Sequence, residues 1–545
     1  MPDKSSGTGG LETARNIELH GRSLIGLTAG SGDGNVFHGM NPADGSELAP
    51  AYYSATVEEL GKAARLADRA FLKYSEVPAN QRAAFLRTIA ARIQALEEQL
   101  TARMVQESGL SLGRARSELG RTTGQLRLFA DVIAEGSWVN ARIDPALPDR
   151  NPPRPDIRSL LRPLGPVAIF CASNFPLAFS VAGGDTTSAL AAGNPVVVKA
   201  HPAHPGTAEL VGVALRESVR EHRLPEGVFS LLFDAGIEIG TALVRHPAIK
   251  AVGFTGSRAG GLALMKAASS RPEPIPFYAE MSSTNPVFVL SGAMKAHREQ
   301  IASGVHASMT LGAGQFCTKP GLVIMNDDAD GREFTSKLGE LVSASHEFTL
   351  LTSGIQKVYE RSADQRTSSG RVRKIAAGAA SRRDSGFHVP VLAHETSADE
   401  LLADPNLSAE LFGPSTLVVK YSTREQMLEI AQRLEGHLTA TIHGTEQDLA
   451  ENKDLMEILE RKVGRLVFNG FPTGVEVSHA IVHGGPFPAT SDGRSTSVGS
   501  MAICRFTRPV CYQDFPNQAL PTELQNRNPL GIWRMVDGNI TRDPV

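Results

Sequence analysis

Residues 167–199 read VAIFCASNFPLAFSVAGGDTTSALAAGNPVVVK, and the fold class follows from how this stretch alternates. An apolar run over 167–171 predicts a buried strand, and Ser173-Asn174-Phe175-Pro176 a turn. Small residues over 177–192 predict a helix, Gly193-Asn194-Pro195 breaks it, and 196–199 is a second buried strand. The pattern repeats outward, with a helix over 207–221, a strand over 228–233, a helix over 236–245 and a strand over 251–255. Continuously apolar strands separated by helices imply parallel βαβ units with helices on both faces of an α/β sheet. Ligands bind such sheets beyond the carboxyl ends of the strands, where Asn174, Lys199 and Gly256 all fall.

No G-x-G-x-x-G is present. Instead the strand over 251–255 runs into Gly256-Ser257-Arg258-Ala259-Gly260-Gly261 and a helix over 262–269. Open N–H groups and the macrodipole at that helix start suit a phosphate, although Gly-Ser before a helix is also an ordinary cap. Strands over 275–280 and 286–290 follow, and residues 309–322 read MTLGAGQFCTKPGL. Cys317 sits among Gly312, Gly314 and Gln315, where the backbone can turn tightly against a ligand. An exposed thiol of lowered pKa there is a nucleophile, and a buried one is inert packing. Glu280 at a strand end and Asn174 in a turn are its polar company.

Upstream, 36–51 reads as a strand and turns, and 56–74, 81–109 and 114–135 read as surface helices. Arg121 and Gln125, four apart on the third, share a face, whether for a ligand, a subunit contact or solvent. Five prolines between 144 and 156 predict a stiff connector or edge strand. A second βα pattern starts at 322, and the basic stretch over 362–383 (Arg366, Arg371, Arg373, Lys374, Arg382, Arg383) reads as solvated surface. Glu410-Leu411-Phe412-Gly413-Pro414 precedes a strand over 415–421, and 498–512 is β-like and suited to pair with another subunit.

With 55 basic and 58 acidic residues, the net charge of -3 gives no reason to expect nucleic acid or an anionic membrane as partner. Four cysteines (Cys171, Cys317, Cys504, Cys511) make no disulfide framework, which implies a reducing, cytoplasmic location. No cysteine pair has metal-ligand spacing, and His479 and His483, though four apart, lack a third ligand, so no metal is expected. Residues 1–15 read as a flexible tail, and no apolar run reaches spanning length.

Six ordered motifs give the chain a wider identity: S-N-F-P (173–176), V-V-V-K (196–199), F-T-G-S (254–257), A-E-M-S-S-T-N-P (279–286), G-Q-F-C (314–317) and E-L-F-G-P (410–414). Between about 51 and 513 the chain resembles the aldehyde dehydrogenase superfamily. The runs at 172–186, 201–207, 468–477 and 483–492 are similar to its NADP-linked fatty aldehyde and α-ketoglutaric semialdehyde (2,5-dioxopentanoate) branch. The resemblance implies a Rossmann-type dinucleotide-binding domain over 16–143 and 165–281 and a second α/β catalytic domain over 282–495. It also implies a small β element over 144–164 and 496–545 that joins a homo-oligomer, a dimer or tetramer.

It further implies that Cys317 attacks an aldehyde and that Asn174 and the Cys317 N–H hold the oxyanion. Glu280 would then activate the water that releases the acid. Lys199 and Glu410 would meet the two riboses, Ser173, Gly256 and Ser257 the rest of the nucleotide backbone, and Phe412 the nicotinamide. Pro202 stands where NAD-preferring relatives often place a glutamate, so NADP is expected, with NAD use compatible. Arg121 and Gln125 would recognise a distant substrate carboxylate, and Phe179, Phe316 and Val475 would shape the tunnel. The implied reaction is oxidation of 2,5-dioxopentanoate to 2-oxoglutarate. A broad or fatty aldehyde dehydrogenase and a catalytically silent scaffold are the alternatives. Ser282 and Ser283 replace the usual glycines after Glu280, and Lys319 adds a cation that would lower the thiol pKa or favour an acidic substrate.

Overall fold

The computed structural model describes residues 16–368, 370–379 and 385–545. The tail expected over 1–15, and Arg382 and Arg383, lie outside the described residues. Two seven-stranded sheets and a five-stranded sheet organise the chain. In the first, Phe277–Glu280, Ala251–Thr255, Val167–Phe170, Val196–Lys199 and Phe229–Leu232 lie parallel in that order, and Leu24–Ile25 and Thr28–Ala29 close one edge antiparallel. Val167–Phe170 therefore has its sequence successors on both sides, and the order reverses beside it. The loops carrying Asn174 and Gly256 leave the carboxyl ends of strands at that reversal.

Each central strand is buried on both faces, which is why its sequence is continuously apolar. Val167, Ile169, Val196 and Val198 enter one core, and Ala168, Phe170, Val197 and Val252 the other. The helices Ala79–Ala95 and Leu112–Glu135 cover the first core; Leu86, Ile89, Leu126 and Phe129 recur on their inner faces at helical spacing. The stretch over 81–109 is thus two helices, the second being Glu97–Ser108. The helix expected from residue 177 starts at Gly184. The backbone of 177–183 bonds elsewhere: the Glu118 carboxylate accepts the N–H groups of Leu177 (2.9 Å) and Ala178 (3.0 Å), and Phe179 O accepts that of Ala172 (2.9 Å). The helix expected from 236 begins at Glu238.

The second sheet orders Arg373–Ala377, Leu392–Ser397, Ser415–Tyr421, Leu322–Asn326, Val287–Val289, His437–His443 and Val463–Phe468, parallel except for the first. The third pairs Thr507–Gln513 with Ile157–Pro163 in this same chain. Residues 500–506, expected to be β-like, form a 3-10 helix instead. The basic stretch is not simply solvated surface. Arg366 donates to Ala409 O at 2.7 Å and is pulled down to about 10 by burial, Arg371 faces Glu400 and Asp404, and Arg373 is paired with Glu395. Among the described residues, no helix is long and apolar enough to cross a membrane.

A buried carboxylate ties the covering helices to the first sheet. Glu107, fully buried, accepts from Gly206 N (2.7 Å), Thr207 N (2.8 Å) and Thr207 Oγ1 (2.8 Å) at the start of the helix Pro205–Glu221, and pairs with Arg103 at 3.0 Å. Removing it leaves a buried cation and open helix N–H groups without an acceptor. Glu107→Ala is therefore expected to cost about 3 kcal/mol. Its melting temperature should fall by several degrees and that of Glu107→Gln by less; equal melting of all three proteins would refute the assignment.

Candidate active site

The stretch before Cys317 makes an unusual turn. Gly312, Ala313 and Gly314 have φ of 57°, 60° and 66°, three left-handed residues in a row. At Gly314 a Cβ would lie 2.3 Å from Gly413 O, so only glycine lets this loop pass the Glu410–Pro414 segment. Asn285, fully buried, fixes the other side by donating from Nδ2 to Cys317 O (2.8 Å) and Lys319 O (3.0 Å). The sulfur is thus held in place by backbone clamps on both flanks.

Glu280 ends the edge strand Phe277–Glu280 of the first sheet, and residues 489–491 lie along that edge: Met281 N donates to Ala489 O (2.8 Å) and Ser491 N to Ala279 O (3.0 Å). This returning segment carries His483 and Ser497 to the carboxylate. His483 Nε2 lies 2.8 Å from Glu280 Oε1 and 3.6 Å from Cys317 Sγ, and Ser497 Oγ donates to Glu280 Oε2 at 2.9 Å. Nε2 serves one partner at a time: carrying the proton, it donates to Glu280. With the proton on sulfur, Nε2 is its acceptor.

Burial pushes the Glu280 carboxyl up, but the charge and hydrogen bond of His483, with the bonds from Cys317 and Ser497, outweigh it and hold the group below its ordinary range. Burial pushes the Cys317 thiol well up, the Glu280 charge pushes it further, and Arg121 opposes both. The thiol is therefore raised in this arrangement. Lys319 does not lower it as expected, because its Nζ turns away to Leu411 O and Ser415 O, 2.9 Å each. Burial drives Lys319 down and Glu410 up, and each partly restores the other's charge; Ser282 and Ser283 also bond Glu410.

The Asn174 amide donates to Gln315 O at 2.9 Å, next to the nucleophile loop, and has a second N–H to offer. Phe175, Phe179 and Phe316 pack edge to face within 5.2 Å of one another in two contacts, and Arg114 lies 4.4 and 4.5 Å over Phe175 and Phe316. Arg121 Nη1 donates to Val475 O at 2.8 Å, and its guanidinium lies 5.3 Å from the Phe179 ring. Arg121, Gln125, Phe316 and Val475 line a cavity of about 1070 Å³.

Of the expected nucleotide residues, Lys199, Gly256 and Ser257 stand at or just beyond strand ends of the first sheet. Lys199 Nζ donates to Asp234 O at 2.7 Å, and Asp234 Oδ2 is buried without a partner. Gly256 and Ser257 are exposed, and Ser257 Oγ accepts from Gly260 N (3.2 Å) to cap the helix Arg258–Ser269. Ser173, Pro202, Glu410 and Phe412 are half-buried.

The sequence reading passed over His483, Ser497 and Asn285. It sought a metal partner for His483 at His479, four residues away, whereas the tertiary partners are Glu280 and Cys317. The donor atoms of all three lie within 4.8 Å of one another. A thiophilic cation could bridge them, but it would consume the nucleophile. The one signal available beforehand was a histidine opening the glycine-rich run H-G-G-P-F-P-A-T over 483–490.

The model described as the aldehyde dehydrogenase family matches residues 29–487. The chain is 48% identical over 524 residues to alpha-ketoglutaric semialdehyde dehydrogenase 2 of Azospirillum brasilense, covering 96% of this chain and 99% of that one. It is 45% identical over 527 residues to alpha-ketoglutaric semialdehyde dehydrogenase of Acinetobacter baylyi, covering 96% and 100%. The crystal structure of lactaldehyde dehydrogenase from Escherichia coli shares the fold with a TM-score of 0.78 at 22% identity, over 90% of this chain and 98% of that one. Matched along most of its length and folded as two parallel-sheet units about a cysteine, the chain belongs to the aldehyde dehydrogenase family and is an oxidoreductase acting on aldehydes.

Proposed function

We propose that the chain oxidises α-ketoglutaric semialdehyde (2,5-dioxopentanoate) to 2-oxoglutarate with NAD(P), through a thiohemiacetal and then a thioester on Cys317. The observation that carries this reading is the contact chain from Cys317 Sγ to His483 Nε2 (3.6 Å) and on to Glu280 Oε1 (2.8 Å), next in sequence to Phe316 in the wall of the cavity that Arg121 lines. Both named relatives above 40% identity act on that semialdehyde by their names, which supports the substrate.

With the imidazole protonated on Nδ1, the thiol passes its proton to Nε2, and the new Nε2–H donates to Glu280, whose charge stabilises the imidazolium. The thiolate attacks the aldehyde carbon, and the oxyanion meets the second Asn174 N–H and the Cys317 N–H. NAD(P), when bound, supplies the hydride acceptor that converts the adduct to a thioester. Glu280, held ionised, then takes a proton from the water that attacks the thioester carbon, and the C–S bond breaks to return the thiolate. Ser497 keeps the carboxylate aimed.

The open helix start at Ser257 and the partnerless Asp234 oxygen beside Lys199 fit a nucleotide's phosphate and ribose. Glu410 would take the second ribose, with Lys319 compensating its charge. Pro202 presents no carboxylate to a 2′-phosphate, which supports NADP with NAD accepted alongside it. A fatty aldehyde dehydrogenase needs Arg121 turned out of the tunnel; the guanidinium on the Phe179 face weighs against that. We also place the enzyme in the cytoplasm as a homo-oligomer, dimer or tetramer. The β element over 144–164 and 496–545 would join subunits beside nucleotide-binding (16–143, 165–281) and catalytic (282–495) domains. Thr507–Gln513 is an edge strand suited to that role.

Three measurements test this reading. Because the free thiol is raised, its alkylation by iodoacetamide should rise about tenfold per pH unit from 7 to 9, and Glu280→Gln should accelerate it at pH 8 by removing an opposing charge. A plateau below pH 8 would count against the assigned geometry. Glu280→Gln should lower steady-state turnover by about 10²- to 10⁴-fold while keeping a rapid burst of one reduced nicotinamide per site; loss of the burst together with turnover would deny Glu280 its role as base. Arg121→Ala should reduce the preference for carboxylated over uncharged aldehydes by about ten- to hundredfold, and an unchanged preference would reject it as the carboxylate ligand.

A further inference from the structure

Arg465 is a charge that the reaction as described does not use. It stands on Val463–Phe468, the last strand of the second sheet, while Arg121 stands on the helix Leu112–Glu135 that covers the first. Both nevertheless grip one short loop. Arg465 Nη1 donates to Gly474 O (3.0 Å) and Nη2 to Pro472 O (2.6 Å), and Arg121 Nη1 takes the next carbonyl, Val475 O (2.8 Å). Gly474 and Val475 line the same cavity as Arg121 and Gln125. The two guanidiniums are close enough that the charge of Arg121 acts on Arg465, and the Cys317 sulfur acts on both.

This arrangement is electrostatically unfinished. Arg114, nearby on the same helix, is paired with Glu118 at 3.1 Å, whereas the hydrogen bonds of Arg121 and Arg465 go to backbone carbonyls. Arg121 Nε and Nη2, Arg465 Nε and Gln125 Nε2 are all buried donors without a partner among the described residues. Two like charges, each half-buried, repel each other; Glu118 and Glu280 offset that of Arg121 in part, but neither guanidinium has a counter-charge in contact among the described residues. An anionic guest provides it.

We propose that Arg465 is the second cation of the substrate site: Arg121 and Arg465, brought from two different sheets to one loop, jointly bind the 2-oxo acid end of the aldehyde. The Nε–Nη2 edge of Arg121 is the planar fork that suits a carboxylate, and Arg465, gripping the carbonyls of Pro472 and Gly474, adds its charge to that end from the catalytic side. Because the cations sit near the sulfur, the class selected is a short aldehyde whose carboxylate lies a few carbons from the reacting carbon. This rests on the reaction proposed above and deepens it.

The test uses glutarate, an unreactive five-carbon dicarboxylate, as the probe. Its protection of Cys317 against iodoacetamide is titrated in the full-length wild type, Arg121→Leu, Arg465→Leu and Arg465→Lys. Arg465→Leu should weaken protection about ten- to hundredfold, and Arg465→Lys, which keeps the charge but not the guanidinium's second loop bond, should weaken it less. In turnover, KM for the carboxylated semialdehyde should rise far more than kcat falls, and far more than KM for pentanal. Wild-type protection in Arg465→Leu, or equal losses with Leu and Lys, would overturn the proposal. Should Arg465→Leu fail to fold by its melting curve, Arg465→Lys decides alone: weakened protection upholds it and wild-type protection overturns it. A wild type that turns over aldehydes but neither binds glutarate nor prefers carboxylated substrates sinks the substrate reading itself. A wild type with that preference and an indifferent Arg465 sinks only the second cation.

Discussion

The Glu280 carboxylate is a charge kept out of water, and much of the architecture serves to keep it ionised. An isolated buried carboxylate would take up a proton and lose its value as a base. Here one oxygen meets His483 and the other Ser497, and both partners arrive on a segment that leaves the second sheet and runs back along the edge of the first. The same backbone bonds that close the exposed edge of Phe277–Glu280 therefore bring the imidazole within reach of the sulfur. Joining the two sheets and assembling the reactive groups are one structural event.

The sulfur itself is placed by backbone, not by its own contacts. Three left-handed residues bring the loop against Gly413, and Asn285 pins the carbonyls on the far side. Lys319 works in this frame as a fastener: its buried ammonium satisfies two carbonyls of the Glu410–Ser415 segment and balances the Glu410 charge. Of the serines that replace the usual glycines after Glu280, Ser282 bonds Glu410 through its side chain, and the Ser283 hydroxyl bonds Asn285 Oδ1 and Leu438 N. These departures from the usual pattern belong to buried hydrogen-bond networks, which cost little only because their members satisfy one another.

The mouth follows a related logic. Glu118 holds two N–H groups of the turn after Asn174 and is itself held by Arg114, whose guanidinium covers the two phenylalanines beside the nucleophile. One helix thus orients the Asn174 turn, builds the aromatic wall and presents Arg121. Its charged residues are divided between solvent and this wall.

What the chain order determined by itself was the type and sequence of elements. Runs such as 196–199 and 251–255, bounded by turn residues, read as strands buried on both faces, and their alternation with helices favours parallel units with loops at one end. It also marked Cys317, Glu280 and Asn174 as candidates, because each stands at a strand end or glycine-rich turn within ordered motifs. The tertiary structure alone decided which way side chains point and who their neighbours are. His483 is 203 residues from Glu280 and 166 from Cys317, separations over which no local pattern reports contact. Lys319 sits two residues from the sulfur, yet the buried carbonyls of Leu411 and Ser415 draw its ammonium away. Proximity along the chain fixes where a residue can be, but desolvated partners from distant segments fix what its charge does.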